Sequence, residues 1–163
     1  MERLLRSKLA HGDFREVSAQ RSKIMGAIRS KGNKSTELRF KMALVRHGIA
    51  GWKTHPRDIS GTPDFYFPAK RLAVFVDGCF WHGCTKCGHI PRTNQLFWAA
   101  KIDRNRKRHR RVNNQLRSKG ICVRRFWEHE IRGNLDQCIA KIQQDLRSIV
   151  HGSKTVGDSF RRD

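Results

Sequence analysis

At 163 residues the chain has room for one domain with one modest core. Lys and Arg number 35 against 14 Asp and Glu, a net charge of +21, which points to a polyanionic partner such as nucleic acid. No stretch approaches 18 uncharged apolar residues and the basic residues are not paired with a clean apolar helical face, so neither a bilayer span nor a membrane-surface role is expected. Residues 1–15 are charged throughout without an apolar segment; no signal peptide is expected, and a cytoplasmic location is.

In chain order, residues 1–20 read as a polar arm. Ile24, Met25 and Ile28 form a short helical stripe that breaks at Lys31-Gly32-Asn33. Leu38, Met42 and Val45, with Leu44 alongside, predict an amphipathic helix closed by Gly48. Residues 52–62 are turn-rich, and Pro63–Phe67 reads as a short strand. Pro68-Ala69-Lys70 is a turn, and the apolar run Leu72–Val76 reads as a buried strand. A loop dense in Gly, Cys and His covers 78–93, followed by a long basic helix from Gln95 to Leu116 that Lys119-Gly120 stops. Ile121–Trp127 is a third strand, and Glu128–Ile149 a last helix interrupted near Gly133-Asn134. The order predicts an α/β domain over 21–150 with a small mixed central sheet flanked by helices, and a frayed tail over 151–163.

Three of the five cysteines, Cys79, Cys84 and Cys87, fall within nine residues. Without a secretory signal they read as metal ligands rather than a disulfide framework. Zinc needs a fourth donor, which His82, His89, Cys122 or His129 can supply. His129 is favoured, because it follows the third strand and would pin that strand's end to the loop. Free thiols or a redox pair are the competing reading.

Asp64 starts one strand and Asp77 ends the next. If the two strands pair as a hairpin, both carboxylates reach one sheet edge, where they can hold Mg²⁺; Asp77-Gly78 is also an ordinary turn. Phe80 and Trp81 lie inside the cysteine loop and Trp98 near the start of the basic helix, placed either to stack on bases or to fill a small core. Lys101, Arg104, Arg106, Lys107, Arg108, Arg110 and Arg111 suit phosphate contacts, with only Asp103 interrupting them.

Together, Gly-Thr-Pro-Asp64-Phe, Val-Phe-Val-Asp77-Gly-Cys79-Phe80-Trp81-His82-Gly-Cys84, Phe97-Trp98 and Trp127-Glu128-His129 resemble the very short patch repair (Vsr) mismatch endonucleases, over roughly residues 20–148. The resemblance implies a restriction-endonuclease-like (PD-(D/E)xK-type) core with a structural zinc loop. It also implies Mg²⁺-dependent nicking of double-stranded DNA on the 5′ side of the thymine in a T·G mismatch left by deamination of 5-methylcytosine. It makes Asp64 and the Val76 carbonyl Mg²⁺ ligands, His82 the group that activates water, and Glu37 a contact to metal-bound water. Cys79, Cys84, Cys87 and His129 become the zinc site, and Phe80, Trp81 and Trp98 an aromatic wedge. Lys101, Arg104 and Arg108 are the expected phosphate contacts. Mismatch-repair proteins are the expected further partners, and a monomer the expected state.

The chain departs from the best-known branch by carrying Asp77 and His109 where that branch has histidine and aspartate. The exchange suggests that the two side chains meet and hydrogen-bond near the metal, or that Asp77 ligates Mg²⁺ itself. One zinc position is histidine in parts of the family and cysteine here. Two other readings stand beside this one: a Vsr-like nuclease acting on intact sites, and a non-catalytic zinc-loop DNA-binding module.

Overall fold

The computed structural model describes residues 34–92 and 94–151. The expected arm over 1–20, the Ile24, Met25 and Ile28 stripe, and the tail beyond His151 lie outside the described residues. Helix α1 (Lys34–Arg46) carries Glu37 in its first turn and Arg46 in its last, both favourable to the helix dipole. It ends in a Schellman turn: Ile49 N–H donates to the Leu44 carbonyl (2.9 Å) and Gly48 N–H to Val45 (3.0 Å), with Gly48 at φ +66°.

The buried face of α1 is not the expected stripe. Thr36, Phe40, Ala43 and Leu44 are buried, whereas Leu38, Met42 and Val45 are each more than half exposed. Of the expected apolar positions only Leu44 faces the core. Phe40 decides the rotation of the helix, because its ring packs between Phe65 and Phe126 with centroids 5.4 Å away on each side.

Strand β2 (Phe65–Phe67) and strand β3 (Leu72–Asp77) form the expected hairpin, joined by a 3₁₀ turn at Pro68–Lys70. Before them a two-residue strand β1 (Lys53–Thr54), inside the segment read as turn-rich, pairs antiparallel with β2. The long helix α2 (Gln95–Ser118) crosses over to strand β4 (Cys122–Trp127), which lies parallel to β3 from Leu72↔Cys122 to Asp77↔Trp127. Gly120, at φ +67°, closes α2 with a second Schellman turn. Helices α3 (Glu128–Gly133) and α4 (Leu135–His151) follow, divided at Asn134 as the sequence predicts. Among the described residues no helix is long and apolar enough to cross a membrane.

The sheet, in order β1-β2-β3-β4, separates two apolar layers. On one side Leu72, Val74 and Val76 pack with Phe40, Leu44, Phe126, Ile131, Ile139 and Ile142 from α1, β4, α3 and α4. On the other, Ala73 and Phe75 pack against Val112 and Leu116 of α2 and Ile121. Because strand side chains alternate, Val76 belongs to the first side and Asp77 to the second. That alternation at the end of β3 organises the site.

Candidate active site

Asp64 immediately precedes β2, and its Oδ2 accepts a 2.6 Å hydrogen bond from Val76 N–H. The β1–β2 register pairs Lys53 with Tyr66 and Thr54 with Phe65, and His55 and Asp64 flank the last of these pairs. His55 Nε2 lies 3.4 Å from Asp64 Oδ1 and 3.4 Å from Glu37 Oε2, the latter delivered by the first turn of α1. The donor atoms of Glu37, His55 and Asp64 all fall within 4.8 Å of one another. Burial pushes the Asp64 carboxyl up to about 6; the Val76 N–H and His55 oppose the shift, and the charges of Glu37 and Asp77 add to it. His55 escaped notice in the sequence because a two-residue strand carries no periodicity. The register alone reveals it.

The other side of the strand end holds a second group. Asp77, His82 and His109 have donor atoms within 4.8 Å of one another, and the two imidazole rings stack at a 4.0 Å centroid separation. Asp77 is buried, and both its oxygens accept hydrogen bonds from Arg125 Nη1 (2.8 and 3.0 Å). Arg125 stands beside Phe75 in the β3–β4 register, lies 4.1 Å over that ring, and donates from Nε to Asn113 on α2 (3.0 Å). Neither Arg125 nor Asn113 was singled out from the sequence.

Asp77 and His109 do meet, as the exchanged pair suggests, but at 3.9 Å, which is too long for a hydrogen bond. Asp77 therefore falls into the imidazole cluster, with its oxygens held by Arg125, and not into the Asp64 cluster. Burial lowers the His82 pKa, with Arg125 and Arg108 adding and Asp77 opposing. Burial likewise brings His109 down to about 4. Both imidazoles are thus neutral at pH 7. His82 Nδ1 is buried without a hydrogen-bond partner among the described residues.

Cys79, Cys84, Cys87 and His129 converge on one point. His129 Nδ1 lies 3.3, 3.6 and 3.5 Å from the three sulfurs, and Cys84 and Cys87 are 3.7 Å apart. A zinc tetrahedron requires about 3.5 Å between nitrogen and sulfur ligands and about 3.8 Å between sulfurs, so the donor set fits the ion. Of the four candidates for the last donor, His129 is the one brought to the thiols. Burial pushes the Cys79 thiol up to about 12, and a cation is what would hold it as thiolate. Gly88 closes the loop where a Cβ would stand 2.5 Å from the Cys84 carbonyl oxygen and 2.7 Å from its nitrogen.

Helix α2 clamps this loop. Asn105 Nδ2 donates to the Trp81 carbonyl (2.8 Å), and Arg106 donates from Nε to the His82 carbonyl (3.3 Å) and from Nη2 to that of Gly83. Arg106, expected among the phosphate contacts, is therefore a strut of the loop. Phe80 lies 5.1 Å from both Trp81 and Trp98, ring centroid to ring centroid, and Trp81 and Trp98 are 5.9 Å apart. Lys101 Nζ sits 5.0 Å over Trp81 and 5.3 Å over Trp98, a cation–π contact. Arg104 and Arg108 are exposed.

Three clusters of possible metal donors thus lie beside a basic helix, and comparison with known proteins says which family carries them. A family model described as DNA mismatch endonuclease Vsr matches residues 15–88. The type II nicking enzyme V.NaeI of Lentzea aerocolonigenes is 37% identical over 143 residues, covering 85% of this chain and 84% of its own. V.NmeDIP of Neisseria meningitidis serogroup C, also a type II nicking enzyme, is 38% identical over 131 residues (78% and 86%). DNA mismatch endonuclease Vsr of Escherichia coli strain K12 is 35% identical over 117 residues (71% and 73%). The chain belongs to the Vsr family of DNA endonucleases. It is an endodeoxyribonuclease with a mixed four-stranded α/β core of the restriction-endonuclease-like kind, which removes the non-catalytic binding-module reading.

Proposed function

We propose that this endonuclease nicks one strand of duplex DNA on the 5′ side of the thymine in a T·G mismatch. The observation that carries the reading is the pair of donor clusters near the end of β3, Glu37/His55/Asp64 and Asp77/His82/His109, next to an aromatic prong at a cysteine-rich loop. Asp64 fits a divalent cation: its buried carboxyl titrates near 6, and a bound cation would offset the burial that raises it. The Val76 N–H points at Asp64, and within a strand the carbonyl of the same residue points the same way, so it too faces this cluster. Asp64 and the Val76 carbonyl would hold Mg²⁺, with Glu37 orienting water around it. Mg²⁺ bound there supplies charge stabilisation at the scissile phosphate and a lowered pKa for ligated water.

His82 would accept the proton of the attacking water. Burial keeps its imidazole neutral, the form a base requires, and the stacked His109 ring fixes its plane. Asp77, anchored by Arg125, stabilises the imidazolium that results. Zinc in the Cys79/Cys84/Cys87/His129 set would have four protein ligands and no open position, so its contribution is to stiffen the loop. Phe80, Trp81 and Trp98 would wedge into the duplex. Opening a base step costs a few kcal/mol and least at a mispair, which favours mismatched DNA. Lys101, Arg104 and Arg108 would neutralise backbone phosphates.

The test is strand nicking of matched 30-mer duplexes differing only in a T·G or T·A pair, with and without Mg²⁺, and with Asp64→Asn. Nicking confined to T·G, dependent on Mg²⁺ and abolished by Asp64→Asn is the expected result. Equal nicking of the T·A duplex would replace the mismatch reading with one of cleavage at intact sites.

A further inference from the structure

We propose that His55 is a further protein ligand, through Nε2, to the divalent ion at Asp64, and that this nitrogen tilts the site from magnesium toward first-row transition ions. The inference rests on reading Asp64 as the ion's carboxylate ligand. Its geometry is independent of that reading. His55 Nε2 stands 3.4 Å from one oxygen of Asp64 and 3.4 Å from one oxygen of Glu37. Both separations exceed the range of an N–H···O hydrogen bond, about 2.7–3.2 Å. They fall between the spacing of adjacent ligands around an octahedral ion, about 3 Å, and that of opposite ligands, about 4.2 Å. The three donors also lie within ion-pair reach of one another, and they are close enough together to share one ion.

Two features put the imidazole there deliberately. His55 directly follows β1 and Asp64 directly precedes β2, so the Thr54↔Phe65 pair at the end of the ladder brings the two residues close. The His55 backbone adopts φ +47°, a left-handed conformation that a non-glycine residue rarely holds without compensation from its surroundings. Half the side chain is solvent-exposed, so an arriving ion reaches it freely. An imidazole nitrogen is a poor ligand for magnesium and a good one for later divalent metals, whereas carboxylates and carbonyls alone do not favour transition ions in this way. Adding His55 to an oxygen site thus changes which ion is preferred.

The experiment uses zinc-loaded protein, so that the thiolate cluster is filled, with Mn²⁺ as the probe. Electron paramagnetic resonance gives Mn²⁺ affinity, pulsed measurement detects directly bonded ¹⁴N, and Mg²⁺ affinity follows from competition. His55→Gly suits the positive φ and removes the donor; His55→Asn, which also tolerates that φ, is the second variant. Expected are imidazole ¹⁴N modulation in the native protein and its loss in both variants. Mn²⁺ binding should weaken by about tenfold or more, the loss seen on removing even an outer-shell partner, with a smaller change for Mg²⁺. Unchanged ¹⁴N signal and affinity in both variants, with binding still abolished by Asp64→Asn, overturns the role of His55 while sparing the ion site. Nitrogen modulation that vanishes in His82→Ala instead overturns it likewise. Mn²⁺ binding indifferent to Asp64→Asn overturns the ion site itself, and the inference with it.

Discussion

Arg125 offers the sharpest test of how the imidazole side of the site is built. Its guanidinium supplies two hydrogen bonds to Asp77, whose side chain is only 8% exposed, while the neutral His109 imidazole lies 3.9 Å away. Arg125→Met keeps much of the apolar stem over Phe75 but leaves a buried anion without its partner. Breaking such a pair costs about 3–5 kcal/mol, whereas replacing both members is far cheaper. Urea unfolding at pH 7.5 should therefore show Arg125→Met destabilised by about 3 kcal/mol or more, with the Asp77→Asn/Arg125→Met double variant recovering at least about half of the loss. The same substitution removes a cation that lowers the pKa of both His82 and His109, so their NMR titrations should move upward together. A cost under about 1 kcal/mol, or a double variant as unstable as the single, would refute the view that this pair is buried and mutually dependent.

Other outcomes follow from the geometry. Gly88→Ala drives a Cβ into the backbone of Cys84 and should cut zinc content well below one ion per chain, measured by elemental analysis; full occupancy would contradict the crowding. Arg106→Gln should lower kcat by about tenfold or more because the loop carrying His82 loosens, while Arg104→Gln should instead weaken DNA binding and reduce its salt slope by about 1. For His109, the unfolded imidazole binds a proton near 6.5 and the folded one only near 4. Its contribution is therefore fully present above pH 6.5 and is lost as pH falls toward 4, by about 3 kcal/mol at most. Subtracting the His109→Gln stability profile from the native one isolates this slope and cancels the opposite effect of Asp64; a flat difference would contradict it.

The order of the elements was legible because each carried its own signal. Apolar continuity marked β3, glycines marked the ends of α1 and α2, and a thiol-rich loop lay between β3 and α2. The face of α1 was not legible. Leu38-Met42-Val45 and Thr36-Phe40-Ala43 share the same helical spacing, and the choice between them is made by Phe65 and Phe126, which the helix meets only after folding. His55 was invisible for a related reason, since its place depends on a pairing two residues long. Arg125 was not singled out, because nothing in the sequence separates it from Arg124 beside it; strand alternation sends Arg124 to Asp145 on α4 and Arg125 to Asp77. The cysteines stood out because metal-ligating residue types crowd together there in sequence as well as in space, whereas Asp64 and His82 drew their expected roles from the family resemblance.

The alternation at the tip of β3 has an evolutionary corollary. Of two consecutive residues, Val76 sends its side chain to the hydrocarbon layer and Asp77 sends its own to Arg125 and the imidazoles, so the pleat acts as a parity bit. Deleting or adding one residue within β3 would exchange the two, delivering an acid to the hydrocarbon layer and a valine to the imidazoles. Turns and loops can lengthen without this effect, whereas the residue count along that one strand sets which side each group reaches.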